Sequence, residues 1–140
     1  MRTARWWAAC LIAGSGCLAE AQAKPPLKYV QPENISAADG PEMFRAYCAV
    51  CHGANAEGGG PAANALKKRP ADLTQLSRKN NGTFPLLRVE HLIQGNDVVA
   101  AHGSRDMPIW GKVFRTLGDD AMVRLRVENL THYIESFQRK

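Results

Sequence analysis

The chain lacks an apolar run long enough to cross a bilayer. The longest candidate, from Trp6 to Ala19, has about 14 residues, whereas a membrane-spanning helix needs roughly 20. Internal repeats, low-complexity tracts and the alternating pattern of β-strands are also missing. These absences argue against repeat and strand-rich architectures. The length of 140 residues leaves room for one domain with a leader or tail.

The short apolar run has the features of a secretory signal peptide. Arg2 and Arg5 provide a basic start, and small residues suitable for cleavage follow the run. We therefore predict that residues 1–23 are a signal peptide, cleaved after Ala23 or after Ala21. The mature protein would then be exported to the periplasm. Retention of the leader as a membrane anchor is the alternative.

Few cysteines remain once this leader is removed. Cys10 and Cys17 leave with it, and Cys48 and Cys51 stay in the mature chain. A lipoprotein anchored at Cys17 is a weaker interpretation, because Gly14 stands where such a signal normally has leucine. A disulfide between two residues so close in sequence would constrain only a very short loop. The pair therefore does not predict a disulfide-stapled fold, and another chemistry has to explain it.

The charge balance is only modestly basic. The full chain has a net charge of +5, and loss of Arg2, Arg5 and Glu20 with the leader leaves +4. This density is far below that of a nucleic-acid binder, so we predict no nucleic-acid partner. It is compatible with docking to an acidic protein face. A basic rim could supply the docking residues, although a solvated basic loop is the simpler interpretation: Lys67, Lys68, Arg69, Arg78 and Lys79.

The mature chain is predicted to begin with an extended, proline-bearing arm over residues 24–36, followed by a helical domain over residues 37–140. Pro41 suits a helix start, and Gly95 stands where a helix would end. Short helices with long glycine-rich loops make a poor core and need another apolar group to pack against. The predicted helices cover residues 40–48, 62–66 and 85–94 and a C-terminal helix starting at Asp119 and Asp120, whose apolar stripe is Val123, Val127, Leu130, Ile134 and Phe137.

The sequence Cys48-Ala49-Val50-Cys51-His52 is a C-x-x-C-H motif, the attachment signature of c-type haem. Two thiols three positions apart can each add to one vinyl group of a single porphyrin. The adjacent histidine then lies beneath the ring with a nitrogen facing the iron. Haem would also supply the apolar volume that the short helices lack. We therefore predict one covalently attached haem c, held by Cys48 and Cys51 and ligated by His52.

A structural zinc site and a redox-active dithiol are the competing interpretations of this motif. Zinc needs a second ligand pair at short spacing, and His91, His102 and His132 lie too far apart in the sequence. A thioredoxin-like dithiol occurs in a βαβ context, which this sequence lacks. Both interpretations explain the residues less well than haem does.

Over nearly all of its mature length the chain resembles the class I cytochromes c, in particular small bacterial periplasmic members. Gly40 and Phe44, before the cysteines, are similar to a glycine and an aromatic residue at the crossing of that family's first and last helices. Tyr133 is similar to their aromatic partner on the last helix. Residues 70–74 and 102–111 resemble one bacterial subgroup. The resemblance implies an all-α class I cytochrome c fold, in which several short helices and long loops surround one covalent haem.

The same resemblance implies further haem contacts. Pro61, in a Gly-Pro pair after the motif, is similar to the proline whose carbonyl accepts a hydrogen bond from the axial histidine. Met107, which precedes a proline, is similar to the family's methionine ligand, so the iron would be bound by His52 and Met107. Trp110, three residues later, is expected to form part of the haem pocket wall.

From the residues alone the sixth ligand stays open. Met107 lies on a loop far enough along the chain from His52 to return on the opposite face of the ring. His102 on the same loop is a competing ligand, and a methionine that merely fills an apolar gap is a further interpretation. Methionine ligation raises the reduction potential relative to a second histidine.

With both axial positions filled, no site is left for a substrate. We therefore predict an electron carrier rather than an enzyme, which passes single electrons between protein partners through the exposed haem edge. One alternative is a haem c subunit of a larger dehydrogenase or terminal-oxidase assembly, with a membrane-bound respiratory complex as its partner. A second alternative is a gas sensor or weak peroxidase, in which Met107 is loosely held.

Overall fold

All regular structure in the described residues, 32–96 and 107–139, is helical in the computed structural model. This confirms the predicted all-α fold. The signal peptide, most of the predicted arm and His102 lie outside these ranges. Within them, no helix combines the length and apolarity that a bilayer crossing needs. The helices are α1 (Gly40–Met43), α2 (Ala49–His52), α3 (Leu86–Gln94), α4 (Trp110–Phe114) and α5 (Asp120–Ser136), with short 3₁₀ helices at Ala63–Ala65, Leu73–Gln75 and Arg78–Asn80.

The first helix is longer than predicted and carries the cysteine motif within it. A π-helical turn (Phe44–Cys48) joins α1 directly to α2, so that residues 40–52 form one continuous segment, here called the motif helix. The Asp39 side chain accepts a hydrogen bond from the backbone N–H of Glu42 at 2.9 Å and caps its start. The π turn inserts one extra residue, and each helical residue rotates the chain by about 100°. The extra residue therefore changes the direction in which the thiols point relative to Phe44.

The motif helix crosses α5 at very short range. A Cβ atom on Gly40 would lie 2.6 Å from the carbonyl oxygen of Asn129 and 3.0 Å from Cβ of Tyr133. The buried Phe44 ring packs edge-on against Tyr133 and Phe137, with ring centroids 5.5 and 5.7 Å apart. The crossing of glycine and aromatic residues that the resemblance implied is confirmed.

The C-terminal helix starts where predicted and ends slightly earlier. The Asp119 side chain caps α5 by accepting a hydrogen bond from the backbone N–H of Met122 at 2.9 Å. The last helical residue is Ser136, and the backbone N–H of Arg139 instead donates to the carbonyl of Thr74. Helix α5 therefore ends before the basic residue Arg139. The apolar stripe is confirmed: Val123, Val127, Leu130 and Ile134 are buried, and Phe137 packs against the core.

Two shorter helices complete the packing around α5. Helix α3 buries Val89 and Ile93 and ends at Gly95, whose φ of +79° gives the predicted left-handed cap. Helix α4 is a structural finding that the sequence did not predict, since five residues are too few to show a helical period. Its Gly111 lies against α3, where a Cβ atom would be 2.6 Å from the carbonyl oxygen of Gln94.

The last residues of the predicted arm pack onto the helical domain. Ile35 is buried, and Ala37, which follows the arm, is buried as well. Three side chains of the domain donate hydrogen bonds to alternate carbonyls of this segment: Tyr47 to Glu33, Arg126 to Ile35 and Asn129 to Ala37. These three hydrogen bonds fasten residues 33–37 to the helices.

Replacing Gly40 with alanine should destabilise the protein by about 1–3 kcal/mol, because the new methyl group would force the backbones of two crossing helices apart. Gly59→Ala is the matched control, since no atom lies within 4 Å of a Cβ atom at that position. It should change stability by less than about 0.5 kcal/mol. Thermal and denaturant unfolding of both variants measures the difference. Equal stabilities would contradict the close crossing.

Candidate functional site

The two thiols of the motif lie on successive turns of the motif helix. Cys48 ends the π turn and Cys51 follows in α2, so the side chains are three positions apart and share one face. Both are half-buried free thiols, and Val50 between them is exposed. The face formed by the two thiols can therefore meet one flat apolar ligand at two points.

His52 is held by a backbone carbonyl from the loop beyond the motif. Its Nδ1 atom lies 3.0 Å from the carbonyl oxygen of Ala71. Donation from Nδ1 fixes the ring orientation and leaves Nε2 as the metal-binding nitrogen, which is the usual arrangement of a metal-ligating histidine. The resemblance implied Pro61 as the hydrogen-bond acceptor. That assignment is wrong here: Ala71 accepts the bond, and Pro61 is exposed.

The loop that starts after His52 folds back onto the motif helix. The backbone N–H of Gly60 donates to the carbonyl of Cys51 at 3.0 Å, and that of Ala62 donates to Val50 at 2.9 Å. A Cβ atom on Gly60 would lie only 2.5 Å from the carbonyl oxygen of Val50. The glycine is therefore required for this close approach. Pro61 follows Gly60 at the turn and contributes backbone geometry rather than the hydrogen bond to the histidine.

Asp72 stabilises the backbone next to the histidine's acceptor. Its carboxylate accepts hydrogen bonds from the backbone N–H of Thr74 at 2.9 Å and from its hydroxyl at 2.6 Å. The hydroxyl of the buried Thr74 is the main cause of the lowered pKa of Asp72. This local turn fixes the chain directly after Ala71. The sequence contains a signal for it, since aspartate two residues before threonine is typical of such turns.

The surroundings of the motif favour neutral side chains. Burial raises the pKa of the Cys48 thiol to about 12, with a further contribution from Cys51. Burial also lowers the pKa of His52, and the hydrogen bond to Ala71 partly opposes that shift. Neutral imidazole is the form that binds metals. The lowered pKa of His52 therefore favours the form of the imidazole that an iron ligand needs.

Trp110 belongs to an aromatic cluster beside the motif. Its ring centroid lies 5.3 Å from that of Tyr47, the residue before Cys48, and 5.8 Å from that of Phe114. The Trp110 side chain is half-buried. Its role as part of the haem pocket wall stays a prediction.

The contacts among residues 32–96 and 107–139 do not identify a second axial ligand. Met107 is the first described residue after position 96, and its side chain is 40% exposed. Its assignment as the sixth ligand stays a prediction. His91 and His132 are both exposed, and His132 lies 3.4 Å from Glu135. No group of three or more histidine, cysteine, aspartate or glutamate side chains that could hold a metal ion forms within residues 32–96 and 107–139.

Haem c fits these residues. Two free thiols share one helix face, and a histidine beside them is oriented by a carbonyl with Nε2 left for iron. Partly buried apolar residues pack against the same core as Cys48: Leu73, Leu76, Phe84 and Trp110. The fold and the motif together define a c-type cytochrome domain, which carries covalently bound haem c and transfers electrons.

The comparison with protein families gives a narrower assignment. The family model described as "Cytochrome C oxidase, cbb3-type, subunit III" matches residues 36–126, well over half of the chain. The chain therefore belongs to this family of c-type cytochrome domains. No curated protein and no solved structure matches the chain. The matched range includes the motif helix, the loop that carries Ala71, and Met107.

Replacing Cys51 with alanine should leave at most one thioether bond to the haem, because only Cys48 would remain to react. The pyridine haemochrome spectrum measures this, since its absorption maximum depends on the number of saturated vinyl groups. Val50→Ala is the control, since Val50 lies between the cysteines and is exposed. It should leave the spectrum unchanged. A wild-type spectrum from the Cys51→Ala variant would refute the attachment.

Proposed function

We propose that the chain is a mono-haem electron carrier of the periplasm, which passes single electrons between protein partners. It would reach that compartment through the predicted signal peptide over residues 1–23. The arrangement around His52 is the observation that carries this proposal. A single C-x-x-C-H motif occurs in the chain, and its histidine is oriented by the Ala71 carbonyl with one nitrogen left for iron.

The chemistry at such a site is outer-sphere electron transfer. Haem c supplies one iron that changes by one electron between its two states. The residues of this chain hold the cofactor in place during that change. Covalent attachment at Cys48 and Cys51 would retain the cofactor, and the hydrogen bond from His52 to Ala71 orients the imidazole. Ligation of the second axial position by Met107 would leave no position for a substrate.

The basic rim supports a partner with an acidic docking face. All five of its side chains are exposed, and none of them forms an ion pair within the part of the chain that the structure describes. Free cations on a surface attract an acidic partner and raise the rate of encounter, most strongly at low ionic strength. The members of the rim flank the Ala71 loop: Lys67, Lys68, Arg69, Arg78 and Lys79.

A second candidate function is that of a haem c subunit within an oxidase assembly. The description of the matching family, a cbb3-type cytochrome c oxidase subunit III, favours it. In that role the same haem would pass electrons within a complex instead of between freely diffusing proteins. The chemistry at Cys48, Cys51 and His52 would be identical, so the site itself does not distinguish the two roles.

Fractionation of cells that make the full chain from its native genetic context distinguishes carrier from subunit. A carrier should appear in the periplasmic fraction and elute from gel filtration at the size of one chain with a haem c spectrum. A subunit should sediment with membranes or co-elute with larger haem proteins in a complex that consumes oxygen. Recovery of the haem chiefly in such a complex would overturn the carrier proposal.

Met107→Ala should lower the reduction potential and allow carbon monoxide to bind the reduced iron at once, because a soft ligand that favours Fe(II) is lost. Potentiometric titration and the optical spectrum under carbon monoxide measure the two effects. Met122→Ala is the matched control, because the two methionines are almost equally exposed, at 40% and 38%. If Met107→Ala changes neither property, the ligand lies elsewhere, and His102 is the next residue to replace.

A further inference from the structure

Arg126 is a buried cation without an acidic partner in the described structure. Arg126 is only 2% exposed, whereas arginine is almost never fully buried unless it is paired. The ion pairs found within residues 32–96 and 107–139 do not include it. Its Nε atom is buried and has no hydrogen-bond partner there. Among the described residues, therefore, no neighbouring carboxylate neutralises this positive charge in the core.

Neutral groups solvate the guanidinium instead. It donates hydrogen bonds to the backbone carbonyl of Ile35 and, at 2.9 Å, to the side-chain oxygen of Asn34. The sulfur of Met43 lies 3.8 Å from Nη1. The guanidinium also lies over the Phe114 ring, 5.9 Å from its centroid. Dipoles, a thioether and an aromatic face can stabilise a cation without cancelling its charge.

The contacts of Arg126 connect the cation to the motif helix. Met43 lies on that helix, five positions before Cys48. The ring of Phe114 lies 5.5 Å, centroid to centroid, from the ring of Tyr47, which directly precedes Cys48. Met43, Phe114 and Tyr47 are all buried. The route from the cation to the haem attachment site therefore runs through apolar side chains, where a charge is screened much less than in water.

We propose that Arg126 tunes the reduction potential of the haem upward through its unneutralised charge. A fixed positive charge favours the reduced iron, because reduction adds one negative charge to the haem. The proposal rests on the electron-transfer function proposed above and adds a residue that neither binds the iron nor contacts the motif cysteines. The segment that contains Asn34 and Ile35 contributes to this effect, because its oxygen atoms hold the cation in the core.

A purely structural role for Arg126 makes a different prediction. In that case the guanidinium only fastens residues 33–37 to α5, as Asn129 does at 2.9 Å from the carbonyl of Ala37. Loss of Arg126 would then affect stability but not the potential of correctly folded protein. The test therefore needs a variant that changes the charge around Arg126 while the arginine and its packing stay in place.

Asn34→Asp is that variant. Residue 34 is exposed, but its side-chain oxygen accepts a hydrogen bond from the guanidinium at 2.9 Å, so that a carboxylate there pairs with the buried cation directly at nearly constant shape. We expect the potential to fall, so that at the wild-type midpoint the ratio of reduced to oxidised haem drops about threefold or more. Asn34→Ala is its control, since it removes the same hydrogen bond without adding charge and should leave the ratio within about twofold of wild type. Potentiometric titration of the holoprotein measures all ratios.

Arg126→Met and Arg124→Met form a second pair on the same helix. Arg126→Met removes the buried charge and keeps much of the side-chain volume, so the potential should fall as in Asn34→Asp. Arg124 is exposed, and its replacement should shift the ratio by less than about twofold at physiological salt, because solvent screens its charge. If Arg126→Met does not fold, the two Asn34 variants decide the question alone.

Three results would overturn the tuning role while leaving the electron-transfer function intact. The first is an unchanged potential in Asn34→Asp protein with a normal haem c spectrum. The second is an equal fall in Asn34→Asp and Asn34→Ala, and the third is an equal fall in Arg124→Met and Arg126→Met. Wild-type protein that carries no haem after expression with working attachment machinery would instead refute the proposed function itself.

Discussion

At Gly40 the backbone of the motif helix passes so close to α5 that a methyl group would meet the carbonyl of Asn129. This contact joins the two ends of the domain, because Gly40 begins its first helix and Asn129 lies in its last. Phe44, Tyr133 and Phe137 surround the contact and bury it among aromatic rings. The direction of the motif helix follows from this crossing. The direction of the thiols then follows from the π turn between Phe44 and Cys48.

The loop that follows the motif adds a second constraint, which fixes the position of His52. Gly60 brings the loop onto the carbonyls of α2, and Ala71 holds His52 from further along the same loop. Asp72 and Thr74 fix that position through local hydrogen bonds. The histidine is thus oriented by irregular backbone instead of by a helix or strand. Such a loop has little apolar material of its own to bury. Haem attached to the adjacent helix supplies what the loop lacks.

Much of this arrangement could be predicted from the sequence because the signals are local. The C-x-x-C-H motif, the apolar stripe of α5 and the cap at Gly95 each depend on residues a few positions apart. The π turn, helix α4 and the acceptor for His52 could not be predicted in the same way. The choice of Ala71 over Pro61 depends on how a loop of about twenty residues folds back, which no short spacing encodes. The signal at Asp72 predicts a turn, but it does not predict that the carbonyl of Ala71 accepts the hydrogen bond from His52.

The burial of Arg126 could not be predicted from the apolar stripe of α5 alone. It lies three positions after Val123 and four before Leu130, and this spacing places it on the buried face of α5. A charged side chain is expected on the solvent side of a helix, but the packing of the arm buries this one. Residues 33–37 cover this part of α5 and supply the oxygen atoms that the guanidinium needs. The arm is therefore required for the helix to keep a charge on its inner face.

A buried cation of this kind carries a cost that a merely structural role does not explain. Removing an ion from water costs several kcal/mol, and well-packed apolar replacements of buried charges are often neutral or stabilising. A methionine or leucine at position 126 would fill the same space and pack against Met43 and Phe114 without that cost. The fold already has another fastening for residues 33–37 in Asn129 and Tyr47. Arg126 also provides a positive charge among apolar side chains near the motif helix, and in a protein that transfers electrons the charge itself has a use.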